Sequence, residues 1–185
     1  MQTVNFQEII EGCIKKQVKS QEQLYKLLYP TMIKICLRYA PDADGAASIY
    51  NNAMLRVFNS IEKYEEEGKL QSWVKVIVTN CCIDYCKQKN SFKNIEQFNF
   101  ANEVSIEPEV FNNISAKEVK AVINGLPKAT AIVFQLFVYE GLTHKQIGEQ
   151  LQISEGTSKW HVSEAKVKLK NKFTNPYKIN IHAAG

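Results

Sequence analysis

The chain has 185 residues, 45% of them hydrophobic, and a net charge of +4. That length suits one medium domain or two small helical ones, and the apolar content excludes wholesale disorder. No run approaches the ~18 apolar residues of a membrane span, so membrane insertion is not expected.

The opening residues, Met1 to Ile10, have neither a basic head nor a long apolar run, so no signal peptide is expected. Charge is uneven along the chain: +2 over residues 1–90, −2 over 91–117 and +4 over 118–185. A basic C-terminal part fits either a polyanionic partner or a solvated, lysine-rich helix face. The five cysteines, Cys13, Cys36, Cys81, Cys82 and Cys86, are odd in number and form no CxxC pair. Cys81, Cys82 and Cys86 lie at i, i+1 and i+5 of a helical run, a spacing that does not converge on a tetrahedral metal. They read as small buried thiols, which implies a reducing compartment and a cytoplasmic location.

Helical period dominates from the N-terminal side. Leu24, Leu28, Met32, Ile35 and Tyr39 recur at spacings of three and four, and Pro41 with residues 42–45 breaks that helix. A second run carries Ile49, Ala53, Met54, Val57, Phe58 and Ile61. A charged loop from Tyr64 to Lys69 follows. A third run opens at Leu70 and continues through Trp73, Val74, Ile77, Val78, Cys81 and Tyr85, ending at Lys87, Lys89 and Asn90. Trp73 at this spacing is expected in the core. Residues 91–114 are rich in Asn, Glu and Phe, contain Pro108 and show no sustained period, so they read as a linker. A new helix is expected near Ser115, where Ser115 and Glu118 have capping-box spacing, and Gly125 to Pro127 ends it. Residues 128–139 form an apolar helix that Gly141 breaks. Strand alternation is lacking, so the expected fold is all-α: two helical domains joined by a flexible linker.

The C-terminal part carries a helix-turn-helix pattern. Thr143 is an N-cap with Gln146 three residues on, and Ile147 and Leu151 share a face. Gln152, Ile153 and Ser154 make a tight connection, with Ser154 the next N-cap and Glu155 suited to the positive helix start. In the second helix Ser158, Val162, Ala165 and Leu169 form an inner side. Thr157, Trp160, His161, Glu164 and Lys168, flanked by Lys159 and Lys166, form the outer one. A small apolar inner face and a basic outer face suit entry into a DNA major groove, although an antiparallel helix pair with a solvated face has the same pattern.

The order of these segments resembles a known family. Gly125-Leu-Pro127, Val133-Phe134, Glu140-Gly-Leu-Thr143, Ile147-Gly148 and residues 153–159 resemble region four of extracytoplasmic-function (ECF) sigma factors of bacterial RNA polymerase. Leu24, Tyr29, Leu55-Arg-Val-Phe58, Gly68, Trp73, Asn80 and Asp84-Tyr85 resemble region two. Together they cover about residues 20–90 and 115–172. The resemblance implies residues 1–90 as region two, 91–114 as linker, 115–175 as region four and 176–185 as a tail. It implies a non-enzymatic promoter-binding adaptor without cofactor or metal. Region two would bind the beta-prime clamp helices of the polymerase core through Ser48, Asn51, Leu55 and Arg56. It would also capture unpaired minus-ten bases through the loop 65–69, Lys69, Lys75, Asn80, Asp84 and Lys87. Region four would bind the beta flap and read the minus-thirty-five duplex through Thr157, Lys159, Trp160, His161, Glu164 and Lys166. Anti-sigma factors are frequent partners in this group.

The sequence departs from the family at two places. A Glu-Asp pair followed by Gln, which contacts polymerase in the family, is matched by Ala47, Ser48 and Asn51. A common Arg of the second helix is matched by Glu164, which repels phosphate but can accept from cytosine N4. The lost carboxylates favour an alternative: a helix-turn-helix regulator, or a degenerate sigma-like protein that binds DNA or a partner without supporting initiation. Asn80 alone is also compatible with a plain helix-surface amide. An enzyme is not expected, because His144, His161 and His182 lie near no cysteine and no phosphate-binding glycine loop occurs.

Overall fold

The computed structural model describes residues 6–65, 69–88 and 116–174. The chain divides into two compact units, residues 1–90 and 91–185. Every regular element among the described residues is a helix. The loop residues 66–68, Lys89 and Asn90, the linker, the Ser115 cap and the tail with His182 lie outside the described residues.

The first unit contains α1 (Phe6–Ile14), α2 (Val18–Tyr39), α3 (Ala43–Ser60), a 3-10 turn (Ile61–Lys63) and α4 (Leu70–Gln88). Helix α1 was missed, although Phe6, Ile9, Ile10 and Cys13 stand at i, i+3, i+4 and i+7; it is short and buries Ile9, Ile10, Gly12 and Cys13. It ends in a Schellman motif. Lys16 takes φ 57°, Gln17 N–H reaches Gly12 O at 2.9 Å, and Lys16 N–H reaches Cys13 O at 2.9 Å. Helix α2 starts six residues before Leu24 and runs through Pro30. Pro30 sits on the exposed side, where water can satisfy the carbonyl one turn back that its missing N–H leaves without a helical partner. Asp42 caps α3 by accepting from Gly45 N–H at 2.7 Å.

Three apolar stripes close this core: Leu24, Leu28, Met32 and Ile35 from α2; Ile49, Ala53, Met54 and Val57 from α3; Val74, Val78 and Cys82 from α4. Each fully buried Leu, Ile or Met contributes roughly 1.5–3 kcal/mol. Tyr50 is fully buried, and its hydroxyl donates to Tyr25 O at 2.7 Å. Burial, with Tyr25 close by, pushes that hydroxyl well above its usual range, so it stays a neutral donor. All five thiols are free and buried. Cys36 and Cys82 hydrogen-bond each other; that bond, with burial, raises the Cys82 thiol far above the thiol range.

The second unit contains α5 (Ala116–Asn124), α6 (Lys128–Val138), α7 (His144–Leu151) and α8 (Glu155–Thr174). Helix α6 buries Ile132, Val133, Phe134 and Leu136, and it packs chiefly on α8. Gly141, at φ +71°, turns the chain toward α7 in a conformation that L side chains rarely adopt. No described helix is long and apolar enough to cross a membrane.

Candidate nucleic-acid interface

The helix-turn-helix is built from its caps. Thr143 and Gln146 form a full capping box: Gln146 N–H donates to Thr143 Oγ1 at 3.2 Å and Thr143 N–H to Gln146 Oε1 at 2.9 Å. Helix α7 ends at Gln152, whose φ of 59° reverses the chain, and Ile153 N–H donates back to Gly148 O at 3.1 Å. A Cβ on Gly148 would meet Ile153 O at 2.9 Å, so only glycine permits this tight crossing. Ser154 then caps α8, accepting from Thr157 N–H at 2.9 Å. His144 Nδ1 lies 3.1 Å from Ser158 Oγ, and its ring stacks on Phe137 at 4.5 Å, tying α6, α7 and α8 together.

The face that α8 offers differs from the one its sequence suggests. Ser158, Val162, Ala165 and Leu169 are buried as expected. Thr157 and His161, expected in the groove, are buried too, at 5% and 4% exposure. Thr157 Oγ1 lies 2.8 Å from Ser154 Oγ, and His161 Nδ1 lies 2.9 Å from Thr130 Oγ1 of α6. These partners ease the inversion by pairing the Thr157 hydroxyl and His161 Nδ1, whereas His161 Nε2 is buried without a hydrogen-bond partner among the described residues. Burial pushes the His161 pKa down to about 4. Burial likewise lowers that of His144, helped by Lys159. The outward face instead carries the exposed Lys159 and Lys170 with the half-buried Ser163 and Lys166 between them, and the half-buried Trp160 and Glu164 at its edges; Lys168 is also exposed. Ser163 and Lys170 were missed, although they follow Lys159 at i+4 and i+11, one residue out of phase with the inner stripe. Trp160 covers the His161 ring edge-on at 4.8 Å. Glu155 pairs with Lys159 at 3.0 Å and Glu164 with Lys168 at 3.1 Å.

On the first unit, α4 presents Asn80 and Lys87 exposed, with Lys75 and Asp84 half-buried. Lys69 is exposed at the start of the helix, and its backbone N–H donates to the Tyr64 hydroxyl at 3.1 Å. Trp73 is not a core residue. It is half-buried and packs on Tyr64 at 5.4 Å, and its N–H bonds Lys69 O at 3.0 Å. It therefore anchors both ends of the loop rather than filling the bundle.

Ser48, Asn51 and Leu55 share the outer side of α3, all exposed, with Leu55 at 60%. Asn51 Oδ1 accepts from the Tyr25 hydroxyl at 2.8 Å, and Tyr25 stacks beside Tyr29 at 6.2 Å. This side is thus an aromatic and amide surface where the family pattern has carboxylates. Arg56 turns away from it: Nη1 donates to Asp84 Oδ2 at 2.9 Å. The Tyr25–Asn51 and Arg56–Asp84 pairs span 26 and 28 residues, beyond any local signal in the sequence. Among the described residues no group of three or more His, Cys, Asp or Glu side chains is placed to hold a metal ion.

Comparison with known proteins gives two family matches in order. The sigma-70 region 2 model matches residues 24–92, and the sigma-70 region 4 model matches residues 116–169. The RNA polymerase sigma factor SigZ of Bacillus subtilis (strain 168) is 28% identical over 127 residues, covering 66% of this chain and 72% of SigZ. Among solved structures, the sigma factor RpoE, crystallised with the anti-sigma factor NepR from Bartonella quintana, is 18% identical. It covers 83% of this chain and 96% of that chain, with a TM-score of 0.48.

Proposed function

The chain belongs to the sigma-70 family and is an ECF-type sigma factor directing transcription initiation, and from that premise we propose how its two units divide the work. The second unit reads duplex DNA at the minus-thirty-five element. Lys159, Ser163 and Lys166 of α8 face the groove, and Trp160 packs against the thymine methyls or the sugar-phosphate wall. His161 holds α8 against α6 and Thr157 closes the α8 cap with Ser154, so both act only indirectly. The first unit binds unpaired minus-ten bases with Asn80 and Asp84, while Lys69, Lys75 and Lys87 hold phosphates. One observation supports this reading above the others. Two separately folded helical units, matched in order to the two regions, each keep a basic helix face open to solvent.

The partner surfaces follow from the same geometry. Ser48, Asn51 and Leu55 meet the beta-prime clamp helices of core polymerase in the cytoplasm. Without carboxylates, that contact depends less on salt than a charged one. A groove of about 630 Å³ between α5 and the end of α8 is lined by Ala121, Val122, Leu126 and Phe173, with Lys168, Lys172 and Glu118 also on its walls, a balance of one positive charge. It suits an apolar segment with acidic flanks, and the beta flap is its proposed occupant. An anti-sigma factor would act by covering either face.

The test is run-off transcription with core polymerase and genomic promoter fragments. Discrete transcripts that require this chain are expected. Core binding without any transcript would favour the degenerate sigma-like alternative, for which the absent carboxylates at Ala47 and Ser48 argue. No core binding at micromolar protein would leave a plain helix-turn-helix regulator.

A further inference from the structure

Arg56 and Asp84 belong to different helices, α3 and α4, and meet through a 2.9 Å bond between Nη1 and Oδ2. Their side chains remain 55% and 42% exposed. A pair this open to water adds little to folding. Its consequence is geometric: it decides where a carboxylate points.

Asp84 lies one helical turn beyond the exposed Asn80, on the same face of α4. A carboxylate there is an awkward neighbour for a nucleic-acid strand, because phosphates repel it. The Arg56 guanidinium removes that objection by cancelling the charge. It has five N–H donors in a rigid fork, so a bond to one carboxylate oxygen leaves donors for a phosphate. Asp84 keeps acceptor capacity, and Asn80 offers a donor and an acceptor beside it. The two together suit the edge of an unpaired base that carries an exocyclic amine, such as adenine or cytosine.

We infer that Arg56 is a positioning residue for the minus-ten strand, holding Asp84 beside Asn80 to accept from a base amine, and is not a polymerase contact. The inference rests on the proposed function and reassigns one residue within it. Core polymerase therefore docks on Ser48, Asn51 and Leu55 while the neighbouring Arg56 serves the DNA face. A single helix, α3, supports both surfaces from adjacent side chains.

The experiment measures two quantities on the full chain: core-polymerase affinity by fluorescence anisotropy, and opening of a promoter by permanganate reactivity at saturating core. Arg56→Ala and Asp84→Ala are each expected to lower opening about tenfold, the scale of one lost base-edge contact. Core affinity should stay within about twofold of wild type, as for residues outside that interface. The double variant should be no worse than either single one, because the two act as one unit. Arg56→Lys should restore most of the opening, since an ammonium still neutralises the carboxylate. Replacing the amine-bearing base should erase the difference between wild type and Arg56→Ala. Weakened core affinity with normal opening at saturation would make Arg56 a polymerase contact and overturn the inference. Additive losses would overturn it as well. A wild-type chain that opens no promoter would instead sink the proposed function, and this reassignment with it.

Discussion

Helices α4 and α8 are nearly equal in length and are assigned parallel tasks, yet they hide different chemistry. Helix α4 buries Leu70, Val74, Val78, Cys82, Ile83 and Cys86, with Thr79 its only buried polar residue. Helix α8 buries Val162, Ala165 and Leu169 but also Thr157, Ser158 and His161. On α4 the inner side is almost wholly apolar, although Val76 stays 60% exposed and Trp73 half-buried. On α8 it is not, because three polar residues turn inward and hydrogen-bond there to Ser154, His144 and Thr130, while His161 Nε2 is buried without a partner among the described residues. A polar residue on such a helix is assigned by its partner, which for Ser158 and His161 lies on another helix and for Thr157 in the helix's own cap.

The sharpest way to break this contrast is to remove the α8 imidazole. His161→Ala should destabilise the second unit by about 2–3 kcal/mol, through lost packing and a Thr130 hydroxyl left buried without its bond. Each unit carries one tryptophan, Trp73 or Trp160. Denaturant unfolding followed in a Trp73→Phe background therefore reports the second unit alone. Unchanged stability with lost DNA affinity would return His161 to the groove.

Acid should separate the units next. The first unit contains no histidine. In the second, the His161 pKa falls to about 4 on folding, and that of His144 moves the same way. The unfolded chain then binds more protons than the folded one between roughly pH 6.5 and 4, so stability present above pH 6.5 is lost as pH falls. By pH 5 His161 alone should remove about 2 kcal/mol from the second unit. The Trp160 transition should shift accordingly, and the Trp73 transition should lack this histidine component. Equal shifts would show that the imidazole is not buried in solution.

Two smaller effects sharpen the comparison on the DNA side. Lys159→Ala should weaken promoter binding and flatten the dependence of log affinity on log salt by about 0.9, one phosphate's worth. An unchanged slope would remove Lys159 from the phosphate-contacting set. Asn80→Ala should change the stability of the first unit by no more than about 0.5 kcal/mol, as an exposed side chain does. It should nonetheless harm open-complex formation more than closed-complex binding. Equal harm to both would make Asn80 structural.

Local chemistry made much of this molecule legible in advance. The all-helical class, the stripes of α2 and α3, the Thr143 and Ser154 caps and the tight connection at Gln152 follow from residues a few positions apart. Helix α1 was overlooked rather than hidden: Phe6, Ile9, Ile10 and Cys13 already stand at helical spacing, as the residues of the similarly short α7 do. The start of α2 was hidden by a polar first turn and a half and by Pro30, which a solvent-facing position tolerates. Trp73 looked like core because an indole at a helical spacing usually is; its Tyr64 partner lies across the loop. The site was less legible than the fold. Thr157 and His161 were placed by helical phase and by family resemblance, and neither reveals that Thr157 meets Ser154 and His161 meets Thr130. Arg56 was assigned to the polymerase face by family resemblance, while its guanidinium reaches across to α4.

The central claim is that one face melts DNA while the other reads it as duplex. It is tested most directly by footprinting a promoter bound by core polymerase and this chain, with hydroxyl-radical cleavage and permanganate reactivity on the same complex. The account predicts backbone protection at both elements, with reactive, unpaired thymines confined to the minus-ten side. Protection at one element only, or at both with every thymine still paired, would contradict it.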